Sequence, residues 1–92
     1  MAAEFTLNIL TPEKTVYEGS VEYVEVPGSE GYLGVLANHA PLVTGLAEGM
    51  LTVRLSGGNE ERWHVSGGFF EVSNNRATVF ADEVSEGPEP VM

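Results

Sequence analysis

Phe69-Phe70-Glu71-Val72-Ser73-Asn74-Asn75-Arg76-Ala77-Thr78-Val79-Phe80-Ala81 reads as two strands joined by a tight turn. Phe70 and Val72 precede Asn74-Asn75, and Ala77, Val79 and Ala81 follow it in alternation with Thr78 and Phe80. A period of two sends successive side chains to opposite faces of a strand, so one face of each is buried. Asparagine tolerates the positive φ that a two-residue hairpin loop requires. The same alternation recurs along the chain. Phe5, Leu7 and Ile9 alternate with Thr6 and Asn8, and Val24 and Val26 flank Glu25. Leu51, Val53 and Leu55 alternate with Thr52 and Arg54, and Trp63 and Val65 with Arg62 and His64. Glu18-Gly19, Pro27-Gly28, Glu48-Gly49 and Gly57-Gly58-Asn59 read as turns between these runs. Gly67-Gly68 before Phe69 marks a bulge or a close backbone approach. Many short strands with regular turns predict an all-β chain, an antiparallel sandwich or barrel. No repeat and no helix longer than a turn stands out.

One stretch departs from this pattern. Positions 31–47 hold no Asp, Glu, Lys or Arg, yet Gly31, Gly34, Asn38, Pro41 and Gly45 break any long helix. An uncharged, apolar, turn-rich run in an acidic chain is a buried hairpin or a surface that another protein covers. The end of the chain, Ser85-Glu86-Gly87-Pro88-Glu89-Pro90-Val91-Met92, suits no strand ladder. The expected organisation is one β-sandwich domain over 1–84 and a flexible acidic and proline-rich tail over 85–92.

Composition narrows the chemistry. The chain has 92 residues, enough for one domain with a small core. It has no cysteine, so disulfides, thiolate metal sites and cysteine nucleophiles are excluded. Fourteen acidic residues face four basic ones, for a net charge of −10. Lys14, Arg54, Arg62 and Arg76 are too few to neutralise a nucleic-acid backbone or hold anionic lipid. Met1-Ala2-Ala3-Glu4-Phe5 lacks the basic and apolar regions of a signal peptide, and no run of 18 apolar residues spans a membrane.

Catalytic patterns are weak. His39 and His64 lie far apart in the sequence and form no metal-ligand spacing. His64 reads as an exposed strand residue; His39 holds a turn or touches a partner. Glu60-Glu61 and Asp82-Glu83 are strand neighbours that point to opposite faces, so neither pair is a ready acid/base dyad. No Gly-x-Ser-x-Gly elbow occurs. Gly28, Gly31 and Gly34 are followed by no Gly-Lys-Ser/Thr, so no nucleotide site is expected. No catalytic residue, cofactor or metal is expected from this reading.

Three blocks together resemble the N-terminal domain of the epsilon subunit of F-type ATP synthase. The first is Gly28-Ser29-Glu30-Gly31 continuing through Leu33-Gly34 to His39-Ala40-Pro41-Leu42. The second is Ser66-Gly67-Gly68-Phe69-Phe70-Glu71-Val72, and the third Val79-Phe80-Ala81-Asp82. Leu7-Asn8-Ile9-Leu10-Thr11-Pro12 followed by Val21-Glu22 fits the family's opening, so the resemblance covers residues 5–83. It implies an all-β fold, a two-sheet antiparallel β-sandwich of about ten short strands, and a non-catalytic rotor part. That part would bind the gamma subunit and the membrane c-ring, and help couple ion-driven rotation to ATP synthesis. By the same resemblance, Ser29, Glu30, Gly31 and Tyr32 face the c-ring, and Thr11, His39 and Thr44 lie near gamma. Tyr32 stands where an acidic residue can occur in the family, so an electrostatic ring contact rests on Glu30. The implied location is the cytoplasmic face of a bacterial inner membrane, or the equivalent stromal or matrix face. The family usually continues into a two-helix hairpin that can inhibit ATP hydrolysis or bind ATP. No helical periodicity follows Val84, so neither property carries over. From the residues alone, a free-standing ligand- or peptide-binding sandwich is the alternative. It would need Trp63, Tyr17, Tyr23 and Tyr32 to converge on one face. A small hydrolase pairing His39 with Glu30 is a third reading.

Overall fold

The computed structural model describes residues 3–90, with the side chain of Pro90 excepted. The readings made on residues 1–2 and 91–92 lie outside the described residues. Eight strands follow one another: β1 Phe5–Leu10, β2 Thr15–Gly28, β3 Gly31–Leu36, β4 Leu42–Gly45, β5 Gly49–Leu55, β6 Glu60–Ser73, β7 Arg76–Val84 and β8 Glu89–Pro90. Two of them, β2 and β6, are 14 residues long and serve both layers. One layer holds β4, the second half of β6, β7, β1 and the first half of β2. The other holds β3, the second half of β2, β5 and the first half of β6, with β8 alongside. The all-β sandwich stands as read. Eight strands rather than about ten are seen, because β2 and β6 each replace two shorter segments. One pairing is parallel: β1 runs beside β7 from Thr6↔Arg76 to Leu10↔Phe80.

The long strands explain the turn signals that failed. Glu18-Gly19 lies inside β2, where Gly19 pairs with Leu7. A Cβ at Gly19 would sit 2.7 Å from the Tyr17 hydroxyl, so this glycine makes room for a ring instead of turning the chain. Pro27-Gly28 closes β2, and the turn falls on Ser29-Glu30 between Gly28 and its partner Gly31. Asn74 and Asn75 do form the expected turn, with φ of 53° and 59°.

Alternation builds the core. Leu7, Ile9, Val24, Val26, Leu51 and Val53 are fully buried, and Trp63 and Phe70 are the largest buried rings. Full burial of such a side chain stabilises the fold by roughly 1.5–3 kcal/mol. The two long strands turn the corner between layers by different means. β2 shifts register against β5 between Val21 and Tyr23. β6 keeps its register with β7, from Ser66↔Glu83 to Gly68↔Ala81, and bends at Gly67 and Gly68, with φ of 71° and 105°. The glycine pair is therefore a close approach and not a bulge. A Cβ on Gly68 would strike the carbonyl oxygen of Phe80.

Residues after Val84 stay near the sandwich. The Ser85 amide donates to the His64 carbonyl at 2.8 Å, and the His64 amide donates to Ser85 Oγ at 3.0 Å. Glu89 and Pro90 pair with Arg62 and Glu61.

Gly68→Ala is expected to cost about 3 kcal/mol, because the backbone conformation and the clash with Phe80 act together. Gly57→Ala, at φ 94° but facing open space, is expected to cost only about 1 kcal/mol. Urea denaturation of the two variants checks the difference. A second expectation concerns alkaline pH. The Tyr17 phenol is held above its ordinary value by burial and then by Glu61, and the Tyr23 phenol by burial and then by Glu25. Folding favours the neutral phenols, so their contribution is complete below pH 10.0 and drains away as pH rises through the folded values. Melting temperature should fall above that pH, and less so in a Tyr17→Phe/Tyr23→Phe variant.

Candidate functional site

The β2–β3 hairpin carries Ser29, Glu30, Gly31 and Tyr32 at its tip. Ser29 and Glu30 are exposed, and Tyr32 is 59% exposed. The tip is braced from the side. The Ser29 amide donates to the Gly45 carbonyl at 2.9 Å, and the Ala47 amide to the Pro27 carbonyl at 2.8 Å. The Tyr32 hydroxyl accepts the Met50 amide at 3.1 Å. Tyr32 thus spans two roles: its ring is open to solvent while its hydroxyl caps the start of β5. Glu30 has no hydrogen bond or ion pair among the described contacts, so its charge is free to meet a partner.

Thr11, His39 and Thr44 fall on the layer that contains β4. A single row of paired residues crosses it: Gly45, Phe69, Phe80 and Leu10 on β4, β6, β7 and β1. At about 4.8 Å between strands the row is about 14 Å long. Thr44 flanks one end and Thr11 the other. His39 sits in the loop before β4, with Nδ1 2.7 Å from the Ala40 carbonyl. Its loop is tied to the β6–β7 turn, since the Asn38 amide donates to Asn75 Oδ1 at 2.7 Å. The structure therefore groups all three on one layer. Thr44 itself is in phase with buried Phe70, and its hydroxyl donates to the Gly45 carbonyl at 3.2 Å. Its neighbour Val43 is the one that faces out, at 68% exposure.

On the outer face of this layer the row through Phe69, Phe80 and Leu10 is apolar where a solvated face would be polar. Phe69 is 45% exposed and stacks on Phe80, with ring centroids 4.6 Å apart and planes 22° apart. Leu10, Pro12, Phe69 and Phe80 line a shallow groove of about 370 Å³. Sequence reading passed over Leu10, Val43, Phe69 and Phe80 as site residues. The signal was present: Phe80 lies in phase with Thr78, and Leu10 with Asn8, so apolar side chains occupy the face that alternation assigns to water.

Other candidates are not assembled. His39 lies beyond one end of β4 and Glu30 beyond the other, about 10 Å of strand apart, so they form no catalytic pair. Trp63 is buried, and Tyr23 is engaged by Arg54, whose guanidinium lies 5.2 Å from the ring centroid, so the four aromatics do not converge. No group of three His, Asp or Glu able to hold a metal exists among the described residues. Among the described residues no helix is long and apolar enough to cross a membrane.

A β-sandwich with an apolar strip and a polar hairpin tip at one end has the make-up of an interaction domain. The ATP synthase delta/epsilon chain β-sandwich domain family matches residues 4–87, and this chain belongs to that family. It is 49% identical over 80 residues to the ATP synthase epsilon chain of Rhodopseudomonas palustris, covering 87% of this chain and 58% of that one. It is 43% identical over 81 residues to that of Chlorobaculum tepidum, covering 88% of this chain and 92% of that one. The chain thus spans less than two thirds of the first relative and nearly all of the second. Among solved structures, a chain of the Euglena gracilis mitochondrial ATP synthase, OSCP/F1/c-ring, superposes with a TM-score of 0.86 at 28% identity. That match covers 96% of this chain and 55% of the other.

Glu30→Lys should leave stability within about 0.5 kcal/mol of the parent, while Tyr32→Ala should cost about 1–2 kcal/mol through the lost bond to Met50. Thermal melts of both variants separate a purely exposed residue from one that also braces the tip.

Proposed function

We propose that this chain is a non-catalytic rotor subunit of an F-type ATP synthase, linking the gamma subunit to the membrane c-ring. It transmits ion-driven rotation toward ATP synthesis carried out elsewhere in the complex. Family membership supports this reading, as does the likeness to a chain of a complex described as containing F1 and the c-ring. The observation that carries the division of labour is the stacked Phe69–Phe80 pair on an outer sheet face. Exposed aromatic and aliphatic groups in a contiguous strip are costly in water and are recovered by a partner surface. Gamma is the partner assigned to the strip, with Leu10, Val43 and Phe69 within it, Thr11 at its end and His39 in the loop before β4. The hairpin tip Ser29–Tyr32 is assigned to the c-ring. There Glu30 supplies the charge, and braced backbone holds it in place at little entropic cost. The chain then lies on the cytoplasmic, stromal or matrix side of its membrane, peripheral to it.

Calorimetry with purified gamma subunit tests the assignment. Binding at micromolar concentrations is expected, and Phe69→Glu should weaken it at least tenfold, about 1.4 kcal/mol, without unfolding the chain. Absence of heat and of co-elution at about 50 µM, with both partners folded, contradicts the proposal. Equal affinity of the Phe69→Glu variant contradicts the placement of gamma on the strip.

A further inference from the structure

Strand β3 ends its sheet, and its outer edge is bare. The direction of its peptide groups follows from Pro27. The Pro27 carbonyl accepts the Ala47 amide at 2.8 Å, so it points away from β3, and Pro27 pairs with Tyr32. In an antiparallel ladder, facing residues turn their peptide groups toward each other or away, in alternation. Tyr32, Gly34 and Leu36 therefore turn N–H and C=O outward from the sheet edge, while Leu33 and Val35 bond to β2. None of the outward groups takes a hydrogen bond among the described residues. Tyr32 and Leu36 also expose their side chains, at 59% and 60%.

Proteins ordinarily guard such an edge with a charge, a proline, a bulge or shortness. β4 is only four residues long and follows Pro41, and β8 contains Pro90. β3 has six residues and none of these guards. It carries no Asp, Glu, Lys, Arg or Pro, and its ladder with β2 runs without a register shift from Gly28↔Gly31 to Tyr23↔Leu36.

The strand also reads alike in both directions about Gly34. Tyr32 and Leu36 stand two places away on the outer face, and Leu33 and Val35 one place away on the inner face. A two-fold axis through Gly34 matches like with like: Gly34 meets Gly34 of a second copy, Tyr32 meets its Leu36, and Leu33 its Val35. The three outward positions are two apart, so all of them fall on hydrogen-bonding pairs in this register. Aromatic and aliphatic side chains facing each other across the strands add to those bonds. Charge permits this occupant as well. At net −10, a second copy is repelled wherever carboxylates come close. Glu30 lies four residues from the axis in each copy, which sets the two about 27 Å apart. Glu25, beside Gly34 on β2, is three strand spacings, about 14 Å, from its counterpart. Both separations exceed the screening length of about 8 Å at physiological salt.

We infer that β3 pairs antiparallel with β3 of a second copy of this chain, joining the two sheets across a two-fold axis at Gly34. Tyr32 also belongs to the hairpin tip, so on the ring-facing reading of that tip, pairing and ring attachment exclude each other. The pair is a state of the free chain, formed at high concentration and given up on assembly.

Sedimentation equilibrium of the chain between about 0.01 and 1 mM tests this, with a Kd of about 0.1–1 mM expected at physiological salt. Raising salt from about 0.05 to 0.5 M should tighten the pair, since it screens repulsion between two acidic bodies. Leu36→Pro removes an outward donor and no bond to β2. It should weaken pairing about tenfold, because the change acts twice across the axis. Leu36→Glu, at an exposed position, puts two carboxylates into the seam and should weaken pairing likewise if the proline variant does not fold. Chemical shifts of the Tyr32, Gly34 and Leu36 amides should move with concentration, and those around Phe69 should not. A chain that stays monomeric at about 1 mM, a dimer indifferent to both Leu36 variants, or a dimer whose shifts fall on the apolar strip overturns the inference. So does protection of these amides by gamma in a chain that does not self-associate, which gives the edge another occupant.

Discussion

Two long strands that belong to both layers hold this molecule together. β2 and β6 cross from one sheet to the other, so β1, β7, β6, β5 and β2 pair in a closed ring. Closure removes two sheet edges and leaves β3, β4 and β8 as the strands that hang from it. The crossing in β6 depends on Gly67 and Gly68, since no Cβ fits between Gly68 and the Phe80 carbonyl. That contact also fixes where Phe69 emerges. Immediately past the bend it faces outward onto Phe80, while Phe70 plunges into the core. One backbone constraint thus sets both the largest half of the core and the apolar strip.

Surface chemistry divides around this frame. The strip formed by Leu10, Val43, Phe69 and Phe80 shares one end of the sandwich with the braced hairpin tip, because Ser29 hydrogen-bonds to Gly45. That bond and the one from Ala47 to Pro27 hold the two surfaces rigidly relative to each other. Acidic residues adjoin the strip: Asp82 borders the groove between Leu10, Phe69 and Phe80, and Glu71 pairs with Val43.

Much of this was legible in the residues. The period-two runs named the core: Leu7, Ile9, Val24, Val53, Trp63 and Val79 are all buried as alternation requires. Asn74-Asn75 announced its turn, and His64 its exposed face. Strand length was not legible, because glycine signals room for a neighbour as readily as a turn; Gly19 lies under Tyr17 and only looks like a break. The parallel β1–β7 pair joins residues some seventy positions apart, beyond any local pattern. The resemblance led to Thr44, whereas the structure turns Val43 outward in its place. Phe80 and Leu10 were visible as apolar residues in a polar phase, but their meeting with Phe69 depends on strand order.

The central claim is that the strip and the tip are the two partner contacts. Hydroxyl-radical footprinting of the chain, alone and assembled with gamma and the c-ring, tests it most directly. Side-chain oxidation reports solvent access residue by residue, and Phe69, Phe80, Tyr32 and Tyr23 are reactive rings on two different faces. The account predicts strong protection of Phe69, Phe80 and Tyr32 on assembly, with Tyr23 unchanged. Protection of Tyr23 while Phe69 and Tyr32 stay as reactive as in the free chain would contradict it.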